Sequence, residues 1–471
     1  LQAEARERGG EGWLRKVIKV HVSITLPADL SFRTSRLVSF IPFAPDSLML
    51  DHRKLFFYDV TEEDPSRGEA CFTGTGVGQE YAGPTWDDRG ILVSGPSLLE
   101  LKDAARRLLR SQGYKDDEIP EGLRPKPRPA DYDALVAELE RSGRDALGLN
   151  VHNDASFAAK QATLTQAILY TMAPADTLIV VPDSIWTNTL WAGQLAGAAL
   201  RGCHVFIVAP SQDNAPAAGL PLLAQTREVF GRLLELSQVL EDEIAAAGGT
   251  LRVGLYTRST PVDDVLGSLR EVARRLRESP WLLDAYPMPA DIIEILEREG
   301  DALEAQGYSP RFIAKGTREG RPKVHRKTQL FATRRALRAL ADMPSLQQYL
   351  PELVRTYAAG TSDPKTLLDE ATPLGPSGPV LTELKTDPPP GARDALYFLT
   401  VGSKNQDFRS AFLDGETAYV VAGPWALHYY PDFLYLMANT EWIEEQEELE
   451  DLITVEDTKA RKLGRWIRKV L

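Results

Sequence analysis

The chain has 471 residues, 43% of them hydrophobic and 26% charged, which is enough apolar material for two or more domains with their own cores. Its formal net charge of -13 argues against a general nucleic-acid binder, whose footprint is usually basic, while leaving room for a locally basic cleft. With Cys71 and Cys203 the only cysteines, neither a disulfide framework nor a zinc-type cysteine cluster is available, and both are expected to be small buried side chains.

Residues Leu1 to Gly10 read as the end of a helix, without Met and without a signal-peptide pattern, so a segment upstream of Leu1 is expected. Localisation is therefore open between soluble and peripheral to a membrane, with the cytoplasm favoured and secretion left as an alternative. No apolar run reaches the roughly 18 residues of a membrane span. A first block, residues 1–113, offers strands at Lys16–Ile24, Leu55–Tyr58 and Gly90–Ser94 and a glycine-rich stretch at Thr73–Gly78. An amphipathic helix closes it, with Leu98, Leu99, Leu101, Ala104, Ala105, Leu108 and Leu109 at helical spacing. The linker is placed at 114–148, because Pro120, Pro125, Pro127 and Pro129 deny helix and strand interiors there.

The second block, 149–457, alternates helix Phe157–Met172, strand Thr177–Pro182, helix Asn188–Arg201 and strand Cys203–Ala209, with Gly202 as a helix C-terminal cap. Long helices follow at Pro221–Ala247, Pro261–Glu278 and Ala290–Gln306, punctuated by strands Leu251–Tyr256 and Arg311–Ala314. Insertions are expected around 213–310 and 334–394. The second holds a helix at Arg334–Ala359 and a proline-rich stretch at Thr372–Pro390, and it is read either as a lid over the cleft or as an outer appendage. Strands resume at Ala395–Val401 and Thr417–Ala422. The tail, 458–471, carries Lys459, Arg461, Lys462, Arg465, Arg468 and Lys469 with Leu463, Trp466, Ile467, Val470 and Leu471 at helical spacing. Such a helix suits either an anionic membrane surface or the acidic segment Glu441–Asp451.

The most informative stretch is His52-Arg53-Lys54-Leu55-Phe56-Phe57-Tyr58-Asp59, weakly repeated as His325-Arg326-Lys327-Thr328-Gln329-Leu330-Phe331-Ala332. In a strand, the His and Lys of each copy share a face and the Arg points to the other. Two imidazole–ammonium pairs facing one cleft suit a phosphodiester: ammonium groups hold the anionic oxygens, one imidazole attacks phosphorus, and the other protonates the leaving oxygen. The remaining histidines, His21, His152, His204 and His428, are read as structural.

Downstream stands Gly402-Ser403-Lys404-Asn405-Gln406-Asp407-Phe408-Arg409-Ser410, then Leu413-Asp414-Gly415-Glu416. Together with the two His-x-Lys copies, this string resembles the phospholipase D superfamily, over most of the chain. The resemblance implies an α/β fold of two pseudo-symmetric α/β/α halves, each a mixed sheet flanked by helices, with helical insertions in the second half. It implies one active site shared between the halves, with His52, Lys54, His325, Lys327 and Asn405 in the chemistry, Glu416 behind His52 and Asp88 behind His325. Ser403, Gly74 and Gly76 would bind substrate, and no cofactor or metal is implied. In the implied reaction His52 attacks and His325 donates the proton; the reverse assignment stays open. Three departures stand out: Gly76 where an Asn is usual, Ala332 where an Asp is usual, and about 80 positions between His325 and Asn405.

The leading expectation is thus a phosphodiesterase of phospholipid headgroups, with transphosphatidylation when an alcohol replaces water. Its partners are the phospholipid substrate and, through 458–471, an anionic membrane; no protein partner is implied. A nuclease of the same superfamily and a non-catalytic scaffold member are the alternatives. The acidic net charge and basic tail favour lipid over nucleic acid.

Overall fold

The computed structural model describes residues 52–64, 66–75, 85–111, 113–141, 147–154, 160–216, 220–348, 350–351, 397–412, 414–423 and 429–454. The expected strand Lys16–Ile24, the proline-rich stretch Thr372–Pro390, the tail 458–471, His21, His428 and Gly76 lie outside the described residues. Contacts divide the chain into two units that interleave in sequence: residues 1–74, 90–166 and 401–420 in one, and 75–89, 167–400 and 421–471 in the other.

The larger unit is built on a mixed sheet flanked by helices. Its strands lie in the order Thr440–Ile443, Thr250–Tyr256, His204–Pro210, Thr177–Pro182, Thr328–Thr333. Thr250–Tyr256, His204–Pro210 and Thr177–Pro182 are mutually parallel; Thr440–Ile443 runs antiparallel to Thr250–Tyr256 and Thr328–Thr333 antiparallel to Thr177–Pro182. Thr177–Pro182 and His204–Pro210 are buried at every position, as continuous apolar strands covered on both faces must be. Parallel neighbours need crossover connections, supplied here by helices Thr189–Leu200 and Leu220–Val239. Asn188 caps the first of these by accepting from the Leu190 N–H at 2.9 Å. Gly202 ends it at φ 87°, where a Cβ would meet Ala247 O at 2.6 Å; glycine is required on both counts.

Two sequence expectations change here. The single helix Pro221–Ala247 is two, Leu220–Val239 and Glu241–Ala246, because Leu240 leaves helical dihedrals at φ -105° and ψ 16°. The hydrogen bonds Leu240 N–H to Leu236 O and Ile244 N–H to Leu240 O span the bend, which turns Ile244 into the core. Arg311–Ala314 is no strand. Its side chains are exposed except for the half-buried Ile313, so no burial rewards a ladder; its backbone N–H groups bond elsewhere, Arg311 to Asp264 Oδ2 at 2.5 Å and Ile313 to Ser259 O at 2.7 Å, and Arg321 donates to the Ile313 and Ala314 carbonyls. Helices Trp281–Ala285, Tyr430–Ala438 and Gln446–Leu452, not anticipated from the sequence, complete this unit among the described residues.

In the smaller unit Phe56–Tyr58, Glu69–Thr73 and Gly90–Ser94 form an antiparallel sheet with Glu69–Thr73 in the middle. Helix Leu99–Ser111 buries Leu101, Ala104, Ala105, Leu108 and Leu109, the face its spacing predicts. Strand Leu147–Asn153 lies beside Glu416–Ala422. The Tyr419 ring packs on Phe72 at 4.7 Å between centroids, and its hydroxyl meets Ser97 Oγ at 2.9 Å. The stretch 115–129 carries one 3-10 turn, Glu121–Leu123, and leads into helix Tyr132–Arg141.

His152 is buried in strand Leu147–Asn153 with no hydrogen-bond partner on either ring nitrogen. Burial first, then the charges of Arg53 and Arg107, pull its pKa from 6.5 down to about 3. Below pH 6.5 the unfolded chain takes up a proton that the folded chain refuses until about pH 3, so stability falls with acid across that window. Between pH 6.5 and 5, wild-type protein should lose about 1.5 to 2 kcal/mol more than His152→Gln, read from denaturant midpoints at the two pH values. Equal losses in both proteins would mean that this ring does not titrate as its surroundings dictate.

Candidate active site

Both His-x-Lys triplets sit in irregular chain just ahead of strands Phe56–Tyr58 and Thr328–Thr333, not inside a strand as the alternation suggested. The opposed directions survive nonetheless. Each central Arg is buried and runs to carboxylates, Arg53 to Asp154 at 3.1 Å and Arg326 to Asp87 and Asp432 at 2.9 Å each. Each Lys folds back on its own histidine: Lys54 Nζ donates to His52 O at 2.8 Å and Lys327 Nζ to His325 O at 3.0 Å.

In the smaller unit, His52 Nδ1 lies 3.1 and 3.3 Å from the two Glu416 oxygens, and the His52 N–H donates to Gly415 O at 2.8 Å. Gly402 makes this arrangement possible, since a Cβ there would sit 2.2 Å from Thr417 O. The close approach allows Ser403 N–H to reach Thr417 O at 2.9 Å and Thr417 N–H to reach Ser403 Oγ at 3.1 Å. The Ser403 hydroxyl then donates to Glu416 Oε2. Burial alone would raise the Glu416 carboxyl, but the charges of His52 and Lys54 and the bonds from His52 and Ser403 hold it below the usual carboxylate range.

Ser403, expected to touch substrate, is fully buried and orients Glu416 in this structure. Asn405, two residues on, is buried with its Oδ1, an acceptor, unpartnered. Asp407 accepts from the Ser410 N–H at 2.8 Å and starts the short helix Phe408–Phe412; burial pushes its carboxyl up. Gly74 is buried at the end of strand Glu69–Thr73.

In the larger unit, Trp86–Asp87 pairs in parallel with Lys323–Val324, and the His325 N–H extends that ladder to Asp87 O at 3.0 Å. The pairing sets Asp88 beside His325, with Asp88 Oδ2 2.9 Å from Nδ1. The Arg89 N–H donates to Asp88 Oδ1 at 2.8 Å and Thr75 Oγ1 to Oδ2 at 3.2 Å. Lys327 Nζ also stands 3.0 Å from His325 Nε2. An ammonium can only donate, so Nε2 carries the lone pair and the ring proton sits on Nδ1 towards Asp88. The Trp86 ring meets His325 edge to face at 5.0 Å. The two imidazoles differ in access, with side-chain exposures of 36% for His52 and 13% for His325.

Beneath His325, Asp87, Arg89, Arg326 and Asp432 form a buried ring of charge. Arg326 donates to Asp87 Oδ1 and to Asp432 Oδ2, Arg89 to Asp87 Oδ1 and to Asp432 Oδ1, all within 2.7–3.0 Å. The Tyr256 hydroxyl adds a bond to Asp87 Oδ2 at 2.5 Å. Burial would raise the Asp87 carboxyl; Arg326, Arg89 and Arg258 outweigh it and hold the group well below the usual range.

Sequence reasoning missed Asp432, which no spacing connects to the motifs, and Lys160, a lone lysine before a helix. Lys160 donates to Asp154 O at 2.8 Å and Asp414 O at 3.1 Å, and burial, against the pull of Asp414, Glu416 and Asp154, brings it down to about 8. Ala332 is fully buried opposite Leu178, whereas its counterpart Asp59 sits at an exposed turn (φ 52°) paired with Arg67 at 2.7 Å. Among the described residues no group of three or more His, Cys, Asp or Glu side chains converges as a metal site, and no helix is long and apolar enough to cross a membrane.

No protein family and no curated protein matches this chain. Among solved structures, it is similar to the phosphatidylserine synthase of Haemophilus influenzae Rd KW20, with 11% identity over 93% of this chain and 73% of that one and a TM-score of 0.43.

Gly402→Ala should cost about 1–3 kcal/mol of stability in a denaturant titration, because the added methyl must push apart two backbones that already touch. A variant as stable as wild type would show that Ser403 and Thr417 have slack the geometry denies.

Proposed function

We propose that this protein is a phosphodiesterase of phospholipid headgroups, working by two displacements at phosphorus through a phosphohistidine intermediate. The observation that carries the reading is that each of two His-x-Lys triplets has its imidazole Nδ1 against a buried carboxylate, Glu416 or Asp88. A ring held in this way presents Nε2 as its working nitrogen, either as a lone pair for attack or as N–H for proton donation.

In the proposed reaction the two triplets supply two imidazoles, one to attack phosphorus and one to give the leaving oxygen its proton. The Nε2 of one imidazole attacks, the bond to the leaving alcohol breaks, and the other imidazolium delivers its proton to that oxygen. The second ring, now neutral, takes a proton from water or from an acceptor alcohol, whose oxygen displaces the phosphohistidine nitrogen. Lys54, Lys327 and the Asn405 amide carry the charge that builds on the phosphoryl oxygens. Glu416 and Asp88 hold the rings and stabilise each imidazolium as it forms. With an alcohol as acceptor the product is a new phosphodiester, so the same site supports headgroup exchange.

A nuclease would use the same groups. The net charge of -13 supports the lipid reading, and contact of the basic segment 458–471 with an anionic membrane belongs to the same proposal.

Incubation with phospholipid vesicles in the presence of ethanol should yield phosphatidylethanol on thin-layer chromatography beside phosphatidic acid. Cleavage of single-stranded DNA or RNA with inert vesicles would overturn the lipid assignment. His52→Ala and His325→Ala should each lower turnover by roughly 10^4-fold or more, and the double variant should be little worse, since groups that act as one unit are non-additive. If either single variant kept most of its activity, that histidine would have no part in the chemistry.

A further inference from the structure

We propose that the buried ring of Asp87, Arg89, Arg326 and Asp432 is the device that positions the His325–Asp88 pair, and that Asp432 is its remote positioning residue. The inference rests on the reading of His325 as a working imidazole and adds a residue that no motif contains.

The ring is threaded through the site's own backbone. Asp87 and Arg89 bracket Asp88, and Arg326 lies between His325 and Lys327. A guanidinium is planar and forked, so a bond from each arm fixes direction as well as distance. Arg326 spends one arm on Asp87, at 2.9 Å, and another on Asp432, at 2.9 Å. Arg89 does the same, reaching Asp87 at 3.0 Å and Asp432 at 2.7 Å. The segment carrying the histidine and the segment carrying its carboxylate are thereby clamped to each other from behind. Asp432 is the one ring member distant in sequence from both segments, and it receives three of the ring's bonds, from Arg89 Nε, Arg89 NH2 and Arg326 NH1.

The charges of the four side chains cancel, and Asp87, Arg326 and Asp432 are buried. Apolar residues of similar volume would fill such a space at no loss of stability, so the value of the ring lies in geometry. What it fixes is the 2.9 Å contact between Asp88 Oδ2 and His325 Nδ1, and with it the tautomer that leaves Nε2 unprotonated next to Lys327. The His52 pair is set by a different device, the Ser403 hydroxyl on Glu416, with Arg53 tied to Asp154. The two imidazoles therefore respond independently to changes in the ring.

The test uses full-length protein labelled with 15N at histidine, the His325 signals being assigned by difference against His325→Gln. In wild type, Nδ1 of His325 should show a protonated shift and Nε2 an unprotonated one. Asp432→Asn should turn these into a mixture of tautomers while the His52 signals stay put. Turnover on phosphodiester should fall by roughly 10-fold or more with KM within about twofold, as for other residues that orient a working histidine. Because Asp432→Asn leaves unbalanced charge, the neutral pair Arg89→Gln/Asp432→Asn and the charge-keeping Asp432→Glu are measured beside it, with the same shift in tautomer expected. Any of these variants, folded and with the wild-type His325 signals, overturns the proposal; failure of all three to fold makes the ring a folding element and overturns it equally. The spectra need no turnover, so a wild-type protein inactive on every phosphodiester would sink the proposed function while this measurement still decided the ring.

Discussion

A carboxylate set against an imidazole with little access to water is the constraint around which both His-x-Lys triplets are arranged. Glu416 is fully buried and Asp88 nearly so. An isolated carboxylate in such a place is costly to bury. Each has donors aimed at its two oxygens. For Glu416 these are the His52 ring and the Ser403 hydroxyl, with the Lys54 charge in support; for Asp88 they are the His325 ring, Thr75 Oγ1 and the Arg89 N–H. Much of the surrounding architecture follows from this need, including the glycine at 402 and the two-residue parallel ladder of Trp86–Asp87 with Lys323–Val324.

The same constraint is met in two ways. A neutral hydroxyl supports Glu416, within a loop drawn tight against strand Glu416–Ala422. Charge supports the neighbourhood of Asp88, where two arginines and two aspartates balance underneath. The two copies share the His-x-Lys triplet and differ in what stands behind it, so the second copy looks weaker in sequence than in space.

What was legible in the sequence follows this division. The His-x-Lys pairs were readable because the motif recurs, whereas Glu416 and Asp88 were implied by the family resemblance of the sequence; both carboxylates stand at their histidines. The central strands Thr177–Pro182 and His204–Pro210 were readable to within a residue, since a strand covered on both faces is apolar throughout. Asp432 was not: its role is defined by two arginines more than a hundred positions away, and nothing local marks it. Spacing puts Ser403 near the site without giving its direction, and its hydroxyl goes to Glu416. Alternation fits any extended chain, so it cannot tell the triplets from strand, and the ladder that would make them strand starts only after the Lys.

The two carboxylate–imidazole contacts join residues 364 and 237 positions apart. Closing loops of that length is entropically unfavourable until the intervening structure has formed. Synthesis delivers His52 well before the carboxylate that orients it, and the imidazole waits for its partner until the chain between them has been made and folded. Orientation of each ring is thus a late event, timed by topology.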